Sequence, residues 1–267
     1  MFHNTRMRKM DAAALIANFA IDELVIRSSR SGDIRDYYDI AVVQYSGDGV
    51  EIIISDGEGA MMHINGLQNI MPQPVCYNIA QQGEESDEES TEEHIPLTLH
   101  EWVKPKAYGI APMYEALVYI KDVLYKWCKD RVNRNSFPPM VINITDGCSS
   151  DAEQDELLDI ANQLKNIGTK DGSTLLINIQ LTDENSEHCQ SMLFPPVSEE
   201  LEHDDDGQLL YEMSSILPPT LEPVTKEIVS SQRRGPYKCF ARNASICEIL
   251  AITDIGTDSC YKYSLDV

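Results

Sequence analysis

PPMVINITDG (138–147) and TLLINIQLTD (174–183) are the stretches that decide the fold. Each is a short run of apolar, largely β-branched residues closed by a polar turn, as expected of a strand buried on both faces of an α/β sheet. Between them, residues 152–167 carry Leu157, Ile160, Ala161 and Leu164 at spacings of three and four, which predicts one helix with a single inner face. Upstream, Pro112 opens a longer helix, because proline at the first helical position gives up no hydrogen bond. Its stripe is Met113, Leu117, Ile120, Leu124 and Trp127, and residues 133–139 break it. Helix, strand, helix, strand in this order predicts an α/β fold: a doubly wound, mainly parallel sheet with helices on both faces.

Working outward, residues 10–26 place Ala13, Ile16, Ala17, Ala20 and Leu24 along one helical face. YYDIAVVQYSGDG (37–49) and EIIIS (51–55) read as two further strands, each closed by a glycine turn. QQGEESDEESTEE (81–93) holds seven acidic residues from Glu84 to Glu93 and no apolar one, so it cannot bury itself. It predicts a mobile acidic surface insertion at about 81–96, with docking of a basic partner as the alternative role. From about 185 to 231 the pattern weakens and predicts irregular connections with at most one helix. YKCFARNAS (237–245) then reads as a strand, followed by a short helix around 246–250. The length of 267 residues fits one domain, 1–267, carrying these insertions.

Composition narrows the partners. With 21 basic against 44 acidic residues the net charge is -23, which repels nucleic acid and anionic membrane surfaces, so a protein partner of basic character is expected. The seven cysteines, at 76, 128, 148, 189, 239, 247 and 260, are scattered and never form a CxxC pair, which predicts reduced thiols in a cytoplasmic protein. The apolar positions of the N-terminus are interrupted by Asn18, Asp22 and Glu23, so it reads neither as a signal peptide nor as a membrane span. The sequons at Asn143 and Asn243 then carry no meaning. No G-x-x-x-x-G-K, G-x-S-x-G or H-E-x-x-H occurs, so neither phosphate cradling nor a hydrolase motif is supported.

Ligands of open α/β sheets gather at the carboxyl ends of the strands. There the strand VINIT ends in Thr145-Asp146-Gly147, which offers one carboxylate, although Asp-Gly after a strand is also an ordinary turn. YGIAPMYEAL (108–117), a glycine, two residues, a proline opening a helix and then Ala-Leu, precedes the strand and TDG by some 30 residues. With DYYDIAVVQYSG as an earlier strand, this order resembles the von Willebrand factor A-type (vWA) family over roughly residues 11–183. That family binds Mg²⁺ at a metal-ion-dependent adhesion site through three loops: Asp-x-Ser-x-Ser after the first strand, a Thr before a later helix, and the Asp of a TDG-like turn. Near-octahedral oxygen ligation leaves one position of the ion for a partner's carboxylate.

The resemblance implies a degenerate site. Asp146, flanked by Thr145 and Gly147, matches the third element and is the possible metal ligand, whereas the Thr position is Ala111, which has no side-chain oxygen. No Asp-x-Ser-x-Ser is present: Met1 matches the methionine that often follows that motif, so the first central strand is missing. Either the natural chain starts upstream of Met1, the favoured account, or another segment or chain must fill the gap, because an unpaired sheet centre buries backbone groups without partners. Mg²⁺ is expected only if an upstream Asp-x-Ser-x-Ser exists.

The leading expectation is therefore a non-enzymatic interaction module. The alternative is an Mg-assisted hydrolase or phosphotransferase using Asp146, with Asp183 at the end of the next strand as its second carboxylate. His188, Cys189 and His203 lack zinc-site spacing and read as solvated side chains. The one basic cluster, Arg233-Arg234-Gly-Pro-Tyr-Lys238, offers pairing with the chain's own acidic loops.

Overall fold

A computed structural model describes residues 7–47, 49–81, 93–182, 191–198, 201, 204–221, 235–244, 248–249 and 252–253. In chain order the main elements are α1 (Lys9–Ser28), β1 (Val42–Ser46), β2 (Gly49–Ile54), β3 (Pro74–Gln81), β4 (Glu93–His100) and α2 (Met113–Lys129). They continue with β5 (Met140–Thr145), α3 (Gln154–Lys165), β6 (Leu175–Gln180), β7 (Met192–Leu193), α4 (Asp205–Met213) and β8 (Phe240–Arg242). The fold is mixed α/β. Its largest sheet runs β7-β8-β6-β5, with β5, β6 and β8 parallel and β7 antiparallel to β8.

The two-residue period of β6 assigns its side chains to two cores. Leu175, Ile177 and Ile179, with Ala241 of β8 and Cys239 just before it, share a core with Leu15, Ile16 and Phe19 of α1. Leu176 and Phe240 face the other way, onto Leu117 of α2, Leu157 and Ile160 of α3, and Leu210 of α4. Each buried Leu, Ile or Phe among them contributes about 1.5–3 kcal/mol relative to exposure. All six residues of β6 are buried, as expected between two strands and two helical layers. β5 is different: it is an edge strand, and Met140, Val141, Ile142 and Ile144 stay partly exposed.

β1 and β2 form one antiparallel hairpin and β3 and β4 another, in register from Pro74↔His100 to Gln81↔Glu93. The sequence reading found no strands at 74–81 and 93–100. The insertion expected at about 81–96 is narrower, since strand structure runs to Gln81 and resumes at Glu93; residues 82–92 lie outside the described ones. A third core joins Ile21 of α1 to Ile54, Ile64, Leu67 and Val103, with Val42 and Ile53 packed against it.

α1 is oriented differently from its predicted stripe. Ala12, Leu15, Ile16, Phe19 and Ile21 are buried together with Asn18 and Asp22, while Ala13, Ala17, Ala20 and Leu24 are only partly covered. The two polar residues, one turn apart, are anchors. Asn18 Nδ2 donates to Val103 O at 3.0 Å and its Oδ1 accepts from Val103 N at 2.8 Å. Asp22 accepts from His100 N at 2.8 Å and Trp102 Nε1 at 2.7 Å. Replacing Asp22 with alanine strands both donors, so Asp22→Ala is expected to cost about 1.5–3 kcal/mol in urea denaturation. A loss below about 0.5 kcal/mol, the range of an ordinary surface change, would refute the anchoring role.

Candidate functional site

The carboxyl end of β5 is built by three loops. Thr145, buried, accepts Gly147 N on its Oγ1 at 3.2 Å, which closes the turn. Gly147 has φ 106°, and a Cβ there would lie 2.7 Å from Asp206 Cβ, so only glycine lets the turn pass the start of α4. The same turn meets the residues before α2: Ala111 N donates to Ser150 Oγ at 2.7 Å, and Ser150 N donates to Ala111 O at 3.2 Å. Pro112 at the N-cap of α2 offers no capping side chain. Asp151 takes that role from outside the helix, accepting Tyr114 N at 3.2 Å and Glu115 N at 2.9 Å, where an anion is favoured by the helix dipole.

Asp146 itself points outward. Its side chain is 41% exposed, and Lys9 Nζ at the start of α1 lies 3.8 Å away. The surroundings are acidic. Cys148 Sγ lies 3.6 Å from Asp206, and its thiol is pushed up by burial and then by the carboxylates of Asp146 and Asp206. Tyr45, at the end of β1, donates its hydroxyl to Asn143 Oδ1 at 2.8 Å. Burial pushes that phenol up to about 12, with Asp146 and Asp151 adding to the effect and hydrogen bonds to Thr145 and Asn143 opposing it. Phenolate is thus disfavoured beside these carboxylates.

Beneath the turn lies a polar layer that the sequence reading missed. Asn143 Nδ2 donates to Asn178 Oδ1 at 2.9 Å, and Asn178 Nδ2 donates to Leu210 O and Ser214 Oγ. Farther along, Arg242 pairs with Asp204 and donates through Nε to Gln180 Oε1 at 2.8 Å. Asp204 also caps α4 by accepting Gly207 N at 2.9 Å. Alternate positions of adjacent strands share a face, which is how residues so distant in sequence meet. The only signal in the sequence was polar residues at even spacing inside otherwise apolar strands.

The sequence-predicted site residues Thr145, Asp146 and Gly147 do share one loop cluster with Ala111. Within it, Ala111 has no side-chain oxygen, Ser150 Oγ accepts from Ala111 N at 2.7 Å, and Lys9 Nζ lies 3.8 Å from Asp146. Among the described residues, the only three metal-ligand side chains within 4.8 Å of one another are Asp36, Asp39 and His63, the last two paired on a separate two-stranded ladder. There Asp39 already accepts from Trp127 Nε1 at 2.6 Å and lies 2.6 Å from His63 Nδ1. Asp183, His188, Cys189, His203, Arg233 and Arg234 lie outside the described residues. No family model, curated protein or solved structure matches the chain.

Proposed function

We propose that this chain is a vWA-like protein-protein interaction module, not an enzyme, with a degenerate Mg²⁺ site. The observation that carries the reading is the juxtaposition at the carboxyl end of β5: the retained position, Asp146, and the substituted one, Ala111, belong to loops hydrogen-bonded to each other through Ser150. Helices on both faces of a largely parallel sheet agree with it. A partner of basic character suits the chain's charge of -23 and the carboxylates at this rim. Cytoplasmic placement suits the thiols at Cys76, Cys128, Cys148 and Cys239, all free. No helix among the described residues is long and apolar enough to cross a membrane.

Lys9 beside Asp146 compensates the charge that a divalent ion would otherwise meet. MgCl2 is therefore expected to leave the Tm unchanged within about 1 °C, and Asp146→Ala to leave it equally unmoved. Saturating an Mg²⁺ site at a hundred times its Kd would add about 2.7 kcal/mol of stability. A saturable Mg²⁺-dependent rise that Asp146→Ala abolishes would overturn the degenerate-site reading.

A further inference from the structure

The geometry points to a binding site for one divalent transition-metal ion of the Zn²⁺ class, held by Asp36, Asp39 and His63 and braced from outside by Trp127. It sits toward the opposite end of α2 from Ala111 and goes beyond the interaction-module reading, on which it does not depend.

The backbone brings the three side chains together. Asp39–Ile40 and Met62–His63 form an antiparallel ladder in which Asp39 stands directly opposite His63. Residues so opposed hold their Cβ atoms about 4.5–5.5 Å apart. Their neighbours Ile40 and Ile64 are buried in the core that also takes Ile21 and Ile54, so the two-residue alternation turns Asp39 and His63 to the other side. Ile64 N donates to Tyr38 O at 2.8 Å, which carries the pairing past the site. Asp36 enters three residues before Asp39. His63 Nδ1 then lies 2.6 Å from Asp39 Oδ1 and 3.3 Å from Asp36 Oδ1, all three ligand atoms within 4.8 Å of one another.

A proton alone leaves this arrangement unbalanced. Nδ1 carries at most one hydrogen, and the closer contact, to Asp39, takes it. Asp36 brings a second carboxylate to the same nitrogen, and among the described residues no lysine or arginine pairs with either aspartate. The side chain of Asp39 is only 14% exposed, so water does little to separate the two charges. A doubly charged ion offsets both. Trp127 Nε1 donates to Asp39 Oδ2 at 2.6 Å, which fixes the outer oxygen from α2 and leaves Oδ1 for the ion; ligating carboxylates are commonly oriented in this way. Imidazole beside carboxylate favours first-row transition ions over Mg²⁺ and Ca²⁺, which take oxygen. Zn²⁺ holds such atoms at about 2.0–2.2 Å, so its tetrahedral ligands stand about 3.3–3.6 Å apart. Asp36 and His63 already have that spacing. The Asp39 contact opens by about 0.7 Å to reach it, a small swing for an imidazole 69% exposed. Three protein ligands leave the fourth position to water.

The test uses the full chain, stripped of metal, titrated with ZnCl2 by calorimetry and followed by 15N resonances of the imidazole rings. One Zn²⁺ per chain is expected to bind with a Kd below about 0.1 mM. A hundredfold excess over that Kd is expected to raise the Tm by about 5 °C, and the His63 Nδ1 resonance to move more than Nε2. His63→Gln and Asp36→Asn, both at exposed positions, are each expected to weaken binding at least tenfold while the metal-free Tm stays within about 1 °C of the parent. Trp127→Phe, which removes the donor to Asp39, is expected to weaken it about tenfold. MgCl2 is expected to reproduce none of these effects. Absence of saturable binding with a Kd below about 0.1 mM would overturn the site. So would undiminished affinity in both ligand variants, which puts the ion on thiols or other histidines, and so would a shift confined to Nε2.

Discussion

Asp204→Ala is expected to lower the unfolding free energy by about 3–5 kcal/mol, read from the urea midpoint at an unchanged slope. Asp204 and Arg242 are paired with side chains only 10% and 7% exposed, so removing the carboxylate leaves a guanidinium buried with Gln180 as its remaining described side-chain acceptor. Burial holds the Arg242 pKa below its usual value, and Asp204 works against that burial; without it the charge has little to offset its desolvation. The same substitution removes the cap of α4, a further loss of about 1 kcal/mol. A double variant, Asp204→Leu with Arg242→Met, is expected to recover most of the loss, because an apolar pair leaves no charge unmatched. If the single variant unfolds at the parental midpoint, the pair is not the buried tie described above.

Phe240→Ala is expected to cost about 3–5 kcal/mol, and Phe240→Leu markedly less. Phe240 is fully buried in β8, between α4 and the strand face, with Tyr211 edge-on at 5.9 Å and Arg242 over its ring. The alanine leaves a cavity enclosed by the rigid sheet on one side and helices on the other, so collapse recovers little. Leucine keeps most of the volume and loses the aromatic contacts. Equal costs for the two variants would mean that packing volume is not what the site depends on.

How much of this was legible in the sequence depends on how local the determining physics is. α3 was read with its whole inner face, Leu157, Ile160, Ala161 and Leu164, because one helical period and one buried side generate the pattern. β5 and β6 were read as strands because a short β-branched apolar run closed by a polar turn is an equally local signal. The β3–β4 hairpin was not, since Pro74 and Pro96 and the acidic run between its strands suppress the usual strand signal. On α1 Asn18 and Asp22 fall outside the predicted apolar stripe, yet both are buried on partners at residues 100–103, which the helix alone does not reveal. The site was legible in part: Ala111 and Asp146 do lie together. What was illegible was the role of Ser150, Asp151 and Asp206, whose contacts belong to the folded loops and leave no periodic trace.

The tie between α1 and residues 100–103 has a consequence for the order of assembly. α1 leaves the ribosome before residues 100–103, yet its buried amide and carboxylate are satisfied by groups 78 to 85 positions later in the chain. Until those arrive, a helix with two polar groups on its inward face has nothing to close against, and contacts of such separation form late. This helix is thus seated only after residues 100–103 have been made, and a nascent chain halted before Val103 is expected to expose its apolar face to chaperones and proteases.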